Sequence, residues 1–180
     1  MFSIIIATHD SERALVPTLA ALVPGATAGI VREVIVADGG SRDATEQVAD
    51  IAGCRFFVAS EPIGSRLSAA AARARADWLM FLTPGSVPGP TWIDAAIAFV
   101  QATGTASRAA VFGSAKESAF ARLHRALGAL PDPRQGLIIR KAFYQERGGH
   151  RGAEPERDLM RRIGRRRLGR LGATVTTAAI

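Results

Sequence analysis

The chain has 180 residues, the size of one domain, and 48% of them are hydrophobic, enough for a buried core. Its single cysteine, Cys54, excludes an intramolecular disulfide and a multi-cysteine metal site, and its formal net charge is +7. The apolar start of the chain is short and lacks a basic leader, and no apolar run approaches the roughly 18 residues that span a bilayer. We therefore expect a cytoplasmic protein.

The first half of the chain alternates between two hydrophobic periods. Apolar runs predict strands at residues 3–7, 33–37, 54–59 and 78–82. Helical spacing predicts helices at residues 15–22, 43–52, 65–76 and 90–100. Pro24-Gly25 is expected to end the first helix, and a capping box from Asp43 to Glu46 to open the second. This order predicts an α/β fold with an open, mainly parallel sheet and helices on both faces.

The pattern is weaker after residue 102. It predicts strands at residues 109–112, 136–140 and 173–177, the last at a sheet edge, and helices at residues 120–130, 141–147 and from about 155. Seven arginines and one acid lie between residues 157 and 170, which we call the arginine-rich segment. No linker divides the chain. We therefore predict one domain, residues 1–180, with two halves at 1–102 and 103–180.

Ligands of open parallel sheets bind beyond the carboxyl ends of the strands, where three loops of this chain are expected. Asp38 ends the second strand and precedes Gly39 and Gly40, whose small size lets a ligand approach the backbone. A carboxylate at this point is suited to ribose hydroxyls or a base N–H, although it also suits the cap of a turn. We favour ligand binding for Asp38.

Other polar residues of these loops have simpler interpretations. Asp43 is predicted to cap a helix, and His9 to make a loop hydrogen bond. Glu12 is equally compatible with a solvated first helical turn and with a ligand contact. The chain has neither a GxGxxG nor a GxxxxGK[ST] motif, so no dinucleotide fold of the usual kind and no P-loop is predicted.

Several segments resemble the family-2 glycosyltransferases. Residues 3–12 (SIIIATHDSE) look like their first strand and loop, and residues 34–45 (VIVADGGSRDAT) are similar to their second strand and DGGSxDxT loop. Residues 64–82 resemble their alanine-rich helix and following strand. Residues 135–141 with Gly148-Gly149 look like their acceptor-side segment, and residues 158–162 like the helix after their ED motif. The resemblance covers most of the chain and implies a GT-A fold that binds a nucleotide-sugar donor.

The resemblance also implies roles for single residues. Asp38 would contact the uracil or ribose of the donor. The same pocket would be lined by Thr8, Glu12, Gly39, Gly40 and Arg66. The general base would be Glu156, or Glu154 with a small shift of register.

The sequence departs from the family at the motif that holds a divalent cation. The family has an acidic DxD-type motif after its fourth strand, whereas this chain has Thr83, Pro84 and Gly85 there. We therefore predict no metal ligands at this point, and dependence on Mg²⁺ or Mn²⁺ is doubtful. Arg66 or Arg42 would then offset the diphosphate charge, although a solvated surface position is the expected alternative for both.

Three functions remain open at this stage. The first is transfer of a sugar from a nucleotide-sugar donor to an unidentified acceptor. The second is a catalytically degenerate protein that binds a nucleotide-sugar or a partner. The third is a basic adaptor based on the arginine-rich segment, with weak peripheral contact to anionic lipid at the inner face of the membrane. No aromatic-lined RNA motif accompanies that segment, so nucleic acid is not an expected partner.

Overall fold

The structure is a computed structural model that describes residues 1–102, 108–114, 131–152 and 154–178. The helix predicted at residues 120–130 lies outside these ranges. Within them, no helix is both long enough and apolar enough to cross a membrane.

The first half of the chain builds the parallel part of the sheet. Its strands are β1 (Phe2–Thr8), β2 (Val31–Asp38), β3 (Arg55–Val58) and β4 (Trp78–Leu82). They lie in the order β3-β2-β1-β4, and every neighbouring pair is parallel. Because the carboxyl ends of parallel strands meet at one edge, the loops after β1, β2 and β4 come together there, as predicted.

The second half extends the same sheet with strands of mixed direction. They are β5 (Ser86–Pro88), β6 (Ala109–Ser114), β7 (Leu137–Arg140) and β8 (Leu168–Thr177). The sheet continues in the order β4-β7-β6-β8-β5, with β7 antiparallel to β4 and β6, and β8 parallel to β6. The prediction of an edge strand at residues 173–177 is wrong, since β8 begins at Leu168 and lies between β6 and β5.

Helices cover both faces of the sheet, as predicted. They are α1 (Glu12–Thr27), α2 (Thr45–Ile51), α3 (Ile63–Arg73), α4 (Trp92–Ala102), α5 (Lys141–Glu146) and α6 (Pro155–Ile163). Side chains alternate along β1: Ile4 and Ile6 pack on the face with α1, α2 and α4, and Ile5 packs on the face with α3, α5 and α6. Both faces are apolar because both are buried, which explains the continuous hydrophobic run of this strand.

Helix α1 is longer than the sequence predicted. Pro24-Gly25 does not end it; the helix contains Pro17 and Pro24 and continues to Thr27. Neither proline is buried, so the carbonyls that lack a proline N–H partner lie near solvent. Gly25 has a packing role instead, because a Cβ there would lie 2.5 Å from the ring of the buried Trp92.

Candidate functional site

Thr8 and Asp38 lie side by side at the ends of β1 and β2. The Thr8 hydroxyl donates a 2.7 Å hydrogen bond to Asp38 Oδ1, and Asp38 is only 1% exposed. Asp38 also accepts hydrogen bonds from the backbone N–H groups of Gly40 and Ser41, each at 2.7 Å, and from the Ser41 hydroxyl at 2.5 Å. The carboxylate therefore fixes the loop after β2, and the turn-capping interpretation of Asp38 describes its contacts within the chain.

The hydrogen bonds outweigh the cost of burying this charge. Burial alone would raise the pKa of Asp38, but the bonds from Ser41, Thr8 and Gly40 bring that pKa below its ordinary value. Asp38 is thus ionised at neutral pH although it is almost fully covered. A negative charge therefore contacts the backbone of the Gly39-Gly40 turn.

Arg66, in the first turn of α3, lies under the same two strand ends. Its Nη1 donates to the carbonyl oxygens of Thr8 at 2.7 Å and Ala37 at 3.2 Å. The residue is 9% exposed, so the expectation of a solvated surface position for Arg66 is wrong. Gly39 leaves the space for this guanidinium, because a Cβ there would lie 2.5 Å from Nη1.

The loops after β1 and β2 are also joined at their outer ends. The Glu12 N–H donates to Asp43 Oδ2 at 2.9 Å, and Glu12 Oε2 accepts the Ala44 N–H at 3.3 Å. Asp43 Oδ1 accepts from the backbone N–H and hydroxyl of Thr45. The predicted capping box is displaced, because α2 begins at Thr45 and Ala44 is its N-cap residue, but Asp43 still has a structural role at this helix end. His9 and Arg42 are exposed.

A pocket of about 610 Å³ opens beside these loops, at the end of β3 and the start of α3. Its walls include Phe57, Glu61, Ser65, Arg66 and Arg73. The Arg73 guanidinium lies 4.3 Å from the centre of the Phe57 ring, so the pocket combines an aromatic ring with two cationic groups. Sequence reasoning named only Arg66 of this set. Thr8, Glu12 and Asp38 are not among the residues that line this pocket.

The loop after β4 does not resemble a metal site. Thr83 Oγ1 and Ser86 Oγ are hydrogen bonded at 2.8 Å, and the Gly85 N–H donates to Thr18 Oγ1 at 2.9 Å. Hydroxyls that already bond one another, with no carboxylate, do not match the oxygen ligands that Mg²⁺ requires. Among the described residues, no group of three or more His, Cys, Asp or Glu side chains has the arrangement of a metal site.

The two predicted base candidates at the start of α6 have different surroundings. Glu154 is its N-cap residue and is exposed, with its carboxylate 3.8 Å from Arg157 Nη1. Glu156 is half-buried and lines a small cavity of about 20 Å³ together with Thr83 and His150. The structure thus brings Glu156, but not Glu154, to the end of β4.

Comparison with known proteins agrees with this architecture. The chain matches the family model for glycosyl transferase family 2 over residues 3–162. Glucosyl-3-phosphoglycerate synthase from Mycobacterium tuberculosis, solved with Mn²⁺, UDP and phosphoglyceric acid, is 18% identical with a TM-score of 0.75, and the match covers all of this chain and 71% of that chain. The same enzyme solved with Mg²⁺ and UDP gives the same identity and TM-score over 72% of its length.

A second solved structure gives a similar match. Residues 1–349 of S. aureus TarS are 17% identical with a TM-score of 0.71, and the match covers 94% of this chain and 57% of that chain. No curated protein matches the sequence. At these identities the solved structures establish the shared GT-A fold. Because the family model spans most of the chain, the protein belongs to glycosyl transferase family 2.

Proposed function

We propose that the protein transfers a sugar from a nucleotide-sugar donor to an acceptor hydroxyl, with the donor bound over the ends of β1, β2 and β3. The observation that carries this proposal is the arrangement of Thr8, Asp38 and Arg66 in a chain of this family. The three residues hold the Gly39-Gly40 turn beside a pocket that is large enough for a nucleotide. Backbone groups of that turn then face the base and ribose, and the Asp38 carboxylate holds the turn in place.

The proposed chemistry has one bond broken and one formed. The bond between the sugar C1 and the diphosphate oxygen breaks, and its electron pair leaves with the nucleoside diphosphate. The acceptor oxygen bonds to C1, and its proton passes to the Glu156 carboxylate. Glu156 is preferred to Glu154 for this role because it reaches the cavity at the end of β4, whereas Glu154 is directed to solvent and Arg157.

Donor binding is proposed to be independent of a divalent cation. The loop after β4 offers hydroxyls that bond each other, and nothing there replaces a carboxylate pair. The diphosphate charge is instead offset by guanidinium groups, for which Arg66 and Arg73 on the pocket wall are the candidates. In this respect the chain would differ from the relatives solved with Mn²⁺ and Mg²⁺.

A second candidate is a degenerate member that binds a nucleotide-sugar without transferring it. The missing carboxylate at Thr83-Pro84-Gly85 favours this alternative, because the family uses a cation there to stabilise the leaving diphosphate. The two functions differ in turnover, not in donor binding. Release of free sugar or UDP from a bound UDP-sugar supports the enzyme, and binding without any release supports the degenerate protein.

The first experiment is calorimetric titration with UDP-glucose and GDP-mannose, in EDTA and in MnCl₂. Asp38→Ala is expected to weaken donor binding by about 10- to 150-fold, since the charge-assisted hydrogen bonds that hold the turn beside the pocket contribute roughly 1.5–3 kcal/mol each. Asp50→Ala, an exposed carboxylate on α2, is the matched control. An unchanged dissociation constant for Asp38→Ala removes Asp38 from the site. Saturable dependence of binding on Mn²⁺ overturns the metal-independent proposal.

The arginine-rich segment supports a separate proposal, weak contact with an anionic membrane surface on the cytoplasmic side. It divides into the exposed side of α6 and a 3₁₀ turn at Arg165–Arg167, separated by Gly164 with φ of 79°. Arg162 is bound internally to Asp158 and to the carbonyls of Arg147 and Gly149. The charge proposed to face a lipid surface is therefore that of exposed arginines such as Arg161, Arg166 and Arg167.

A further inference from the structure

His150 is a buried polar residue that the proposed chemistry does not yet use. It follows Gly148-Gly149, is 3% exposed, and packs its ring edge against Phe81 at 4.5 Å between ring centres. Its backbone N–H donates to the Tyr144 hydroxyl at 2.9 Å, and its Nδ1 lies 3.0 Å from the same oxygen. Its Nε2 is buried and has no hydrogen-bond partner among the described residues. A buried ring nitrogen without a partner is costly, which indicates a group that binds there.

The contacts around Tyr144 favour one position for the ring hydrogen of His150. Ser68 uses its only hydroxyl proton to donate to the His150 carbonyl at 2.7 Å, yet it also lies 3.3 Å from the Tyr144 hydroxyl. That second contact is a hydrogen bond only if Tyr144 donates to Ser68. Tyr144 then has no proton for His150, so Nδ1–H donates to Tyr144. This arrangement satisfies every contact of the cluster, and it leaves Nε2 as a hydrogen-bond acceptor.

The His150 side chain lines the same cavity as Thr83 and Glu156. The remaining walls are apolar, formed by Leu67, Phe81, Leu82, Leu137 and Met160. A cavity of about 20 Å³ accommodates one water-sized group. It is too small for a sugar ring or a phosphate, but a single hydroxyl group fits. Its position at the end of β4 is the edge of the sheet where ligands of such folds bind.

We propose that this cavity is a hydroxyl subsite, in which His150 Nε2 accepts a hydrogen bond from one hydroxyl group of the acceptor substrate. The proposal rests on the proposed transferase function and adds to it the class of acceptor, a polyol in which a hydroxyl group next to the reacting one enters the cavity beside Thr83. Glu156, on the wall of the same cavity, takes the proton of a second, neighbouring hydroxyl group of the acceptor when the oxygen of that second group attacks the sugar C1. His150 itself stays neutral and binds the hydroxyl.

The neutral state of His150 follows from its surroundings. Burial, with a smaller contribution from the nearby Arg162 charge, lowers the pKa of His150 to about 3. At neutral pH the Nε2 lone pair is therefore available to a hydroxyl donor. A histidine with this pKa is a poor general base, which separates its role from that of Glu156.

Nitrogen-15 NMR of histidine-labelled protein tests the tautomer and the subsite together, with glycerol as the hydroxyl probe. We expect the Nε2 signal of His150 in the range of an unprotonated ring nitrogen, and a saturable shift when glycerol is added to protein that holds UDP-glucose. A protonated Nε2 overturns the tautomer and with it the proposal. An Nε2 that is hydrogen bonded before any addition and indifferent to glycerol identifies a resident water, which also overturns the proposal.

Transfer of glucose from UDP-glucose to glycerol provides the functional arm. His150→Phe is expected to raise KM for glycerol by about tenfold, the usual effect of one lost hydrogen bond, without changing the dissociation constant of UDP-glucose. His150→Gln keeps an acceptor oxygen and should restore most of the binding. Asp50→Ala, at an exposed position on α2 outside this cavity, is the control. Equal KM values in all variants refute the subsite.

These two arms separate the subsite from the proposed function. If neither the native chain nor any variant binds UDP-glucose, the proposed transferase function is contradicted. Normal donor binding with no response of His150 Nε2 to glycerol contradicts only the subsite. Circular dichroism and urea unfolding of each variant establish that it is folded. If His150→Phe does not fold, Tyr144→Phe, which removes the hydroxyl that fixes the tautomer, tests the subsite in its place.

Discussion

The burial of His150 makes the stability of the protein depend on pH in a defined window. The ordinary pKa of histidine is 6.5, whereas burial and the Arg162 charge lower the pKa of His150 to about 3. Below pH 6.5 His150 is protonated in the unfolded chain but stays neutral in the folded chain. With respect to His150, the free energy of unfolding therefore has its full value above pH 6.5 and decreases as the pH falls towards 3.

The expected loss is large enough to measure. Each pH unit within the window costs about 1.4 kcal/mol, so the free energy of unfolding should fall by about 2 kcal/mol between pH 6.5 and about pH 5. Hydrogen-bonded carboxylates whose pKa is lowered add a second loss only as the pH falls below their ordinary values, which are 4.5 for Glu33 and 3.8 for Asp38 and Asp158. The two limbs are thus separated along the pH axis.

Urea unfolding at a series of pH values measures this dependence. His150→Gln, which cannot titrate, should flatten the limb between pH 6.5 and about pH 5 while it keeps the acid limb below it. His9→Gln, at an exposed histidine, is the matched control and should keep the native slope. Repeating the series in Glu156→Gln tests for a contribution of the neighbouring carboxylate in the same cavity. An equal slope in the native chain and His150→Gln refutes the reasoning.

Three further predictions follow from the packing and from the charge distribution. Gly39→Ala should lower the free energy of unfolding by about 1–3 kcal/mol, because its Cβ meets the fixed guanidinium of Arg66, whereas Gly172→Ala, with open space around it, should change little in the same urea assay. Partial burial raises the pKa of Cys54 to about 11, so its thiol should react slowly with a disulfide reagent at neutral pH and quickly in urea; rapid labelling of the folded protein would contradict the raised pKa. Because of its arginine-rich segment, the protein should co-sediment with anionic vesicles at low salt, less at high salt, and not with neutral vesicles. Protein that stays in the supernatant with anionic vesicles at low salt would refute the membrane proposal.

The main elements of the fold were predictable because their signals are local. An apolar run such as residues 3–7 reads as a strand buried on both faces, and the alternation with helical spacing predicts a parallel sheet. The edge at which the loops after β1 and β2 meet follows from the same pattern. The most specific match to the family lies in the loop after β2, so most of the predicted donor-site residues came from sequence alone, and their roles in binding remain predictions.

The errors occurred where long-range packing outweighed a local rule. Pro24-Gly25 is an ordinary helix stop, but α1 continues because its buried face packs on the sheet and Gly25 admits the Trp92 ring. The interior position of β8 was also hidden, because which strands flank it depends on pairing across more than 50 residues. Arg66 was expected at the surface because arginine is rarely buried, and only the carbonyls of Thr8 and Ala37 explain its burial.

The sequence by itself determined the fold class, the family and the loop chemistry, including the absence of a carboxylate at Thr83-Pro84-Gly85. The tertiary structure alone decided between Glu156 and Glu154 as the group that reaches the cavity. Side chains two positions apart at the start of a helix point in different directions. It also decided the state of His150, which a sequence presents only as one of three histidines. Its low pKa and its acceptor nitrogen come from burial among Phe81, Tyr144 and Ser68, and a desolvated environment exists only once distant segments have packed together.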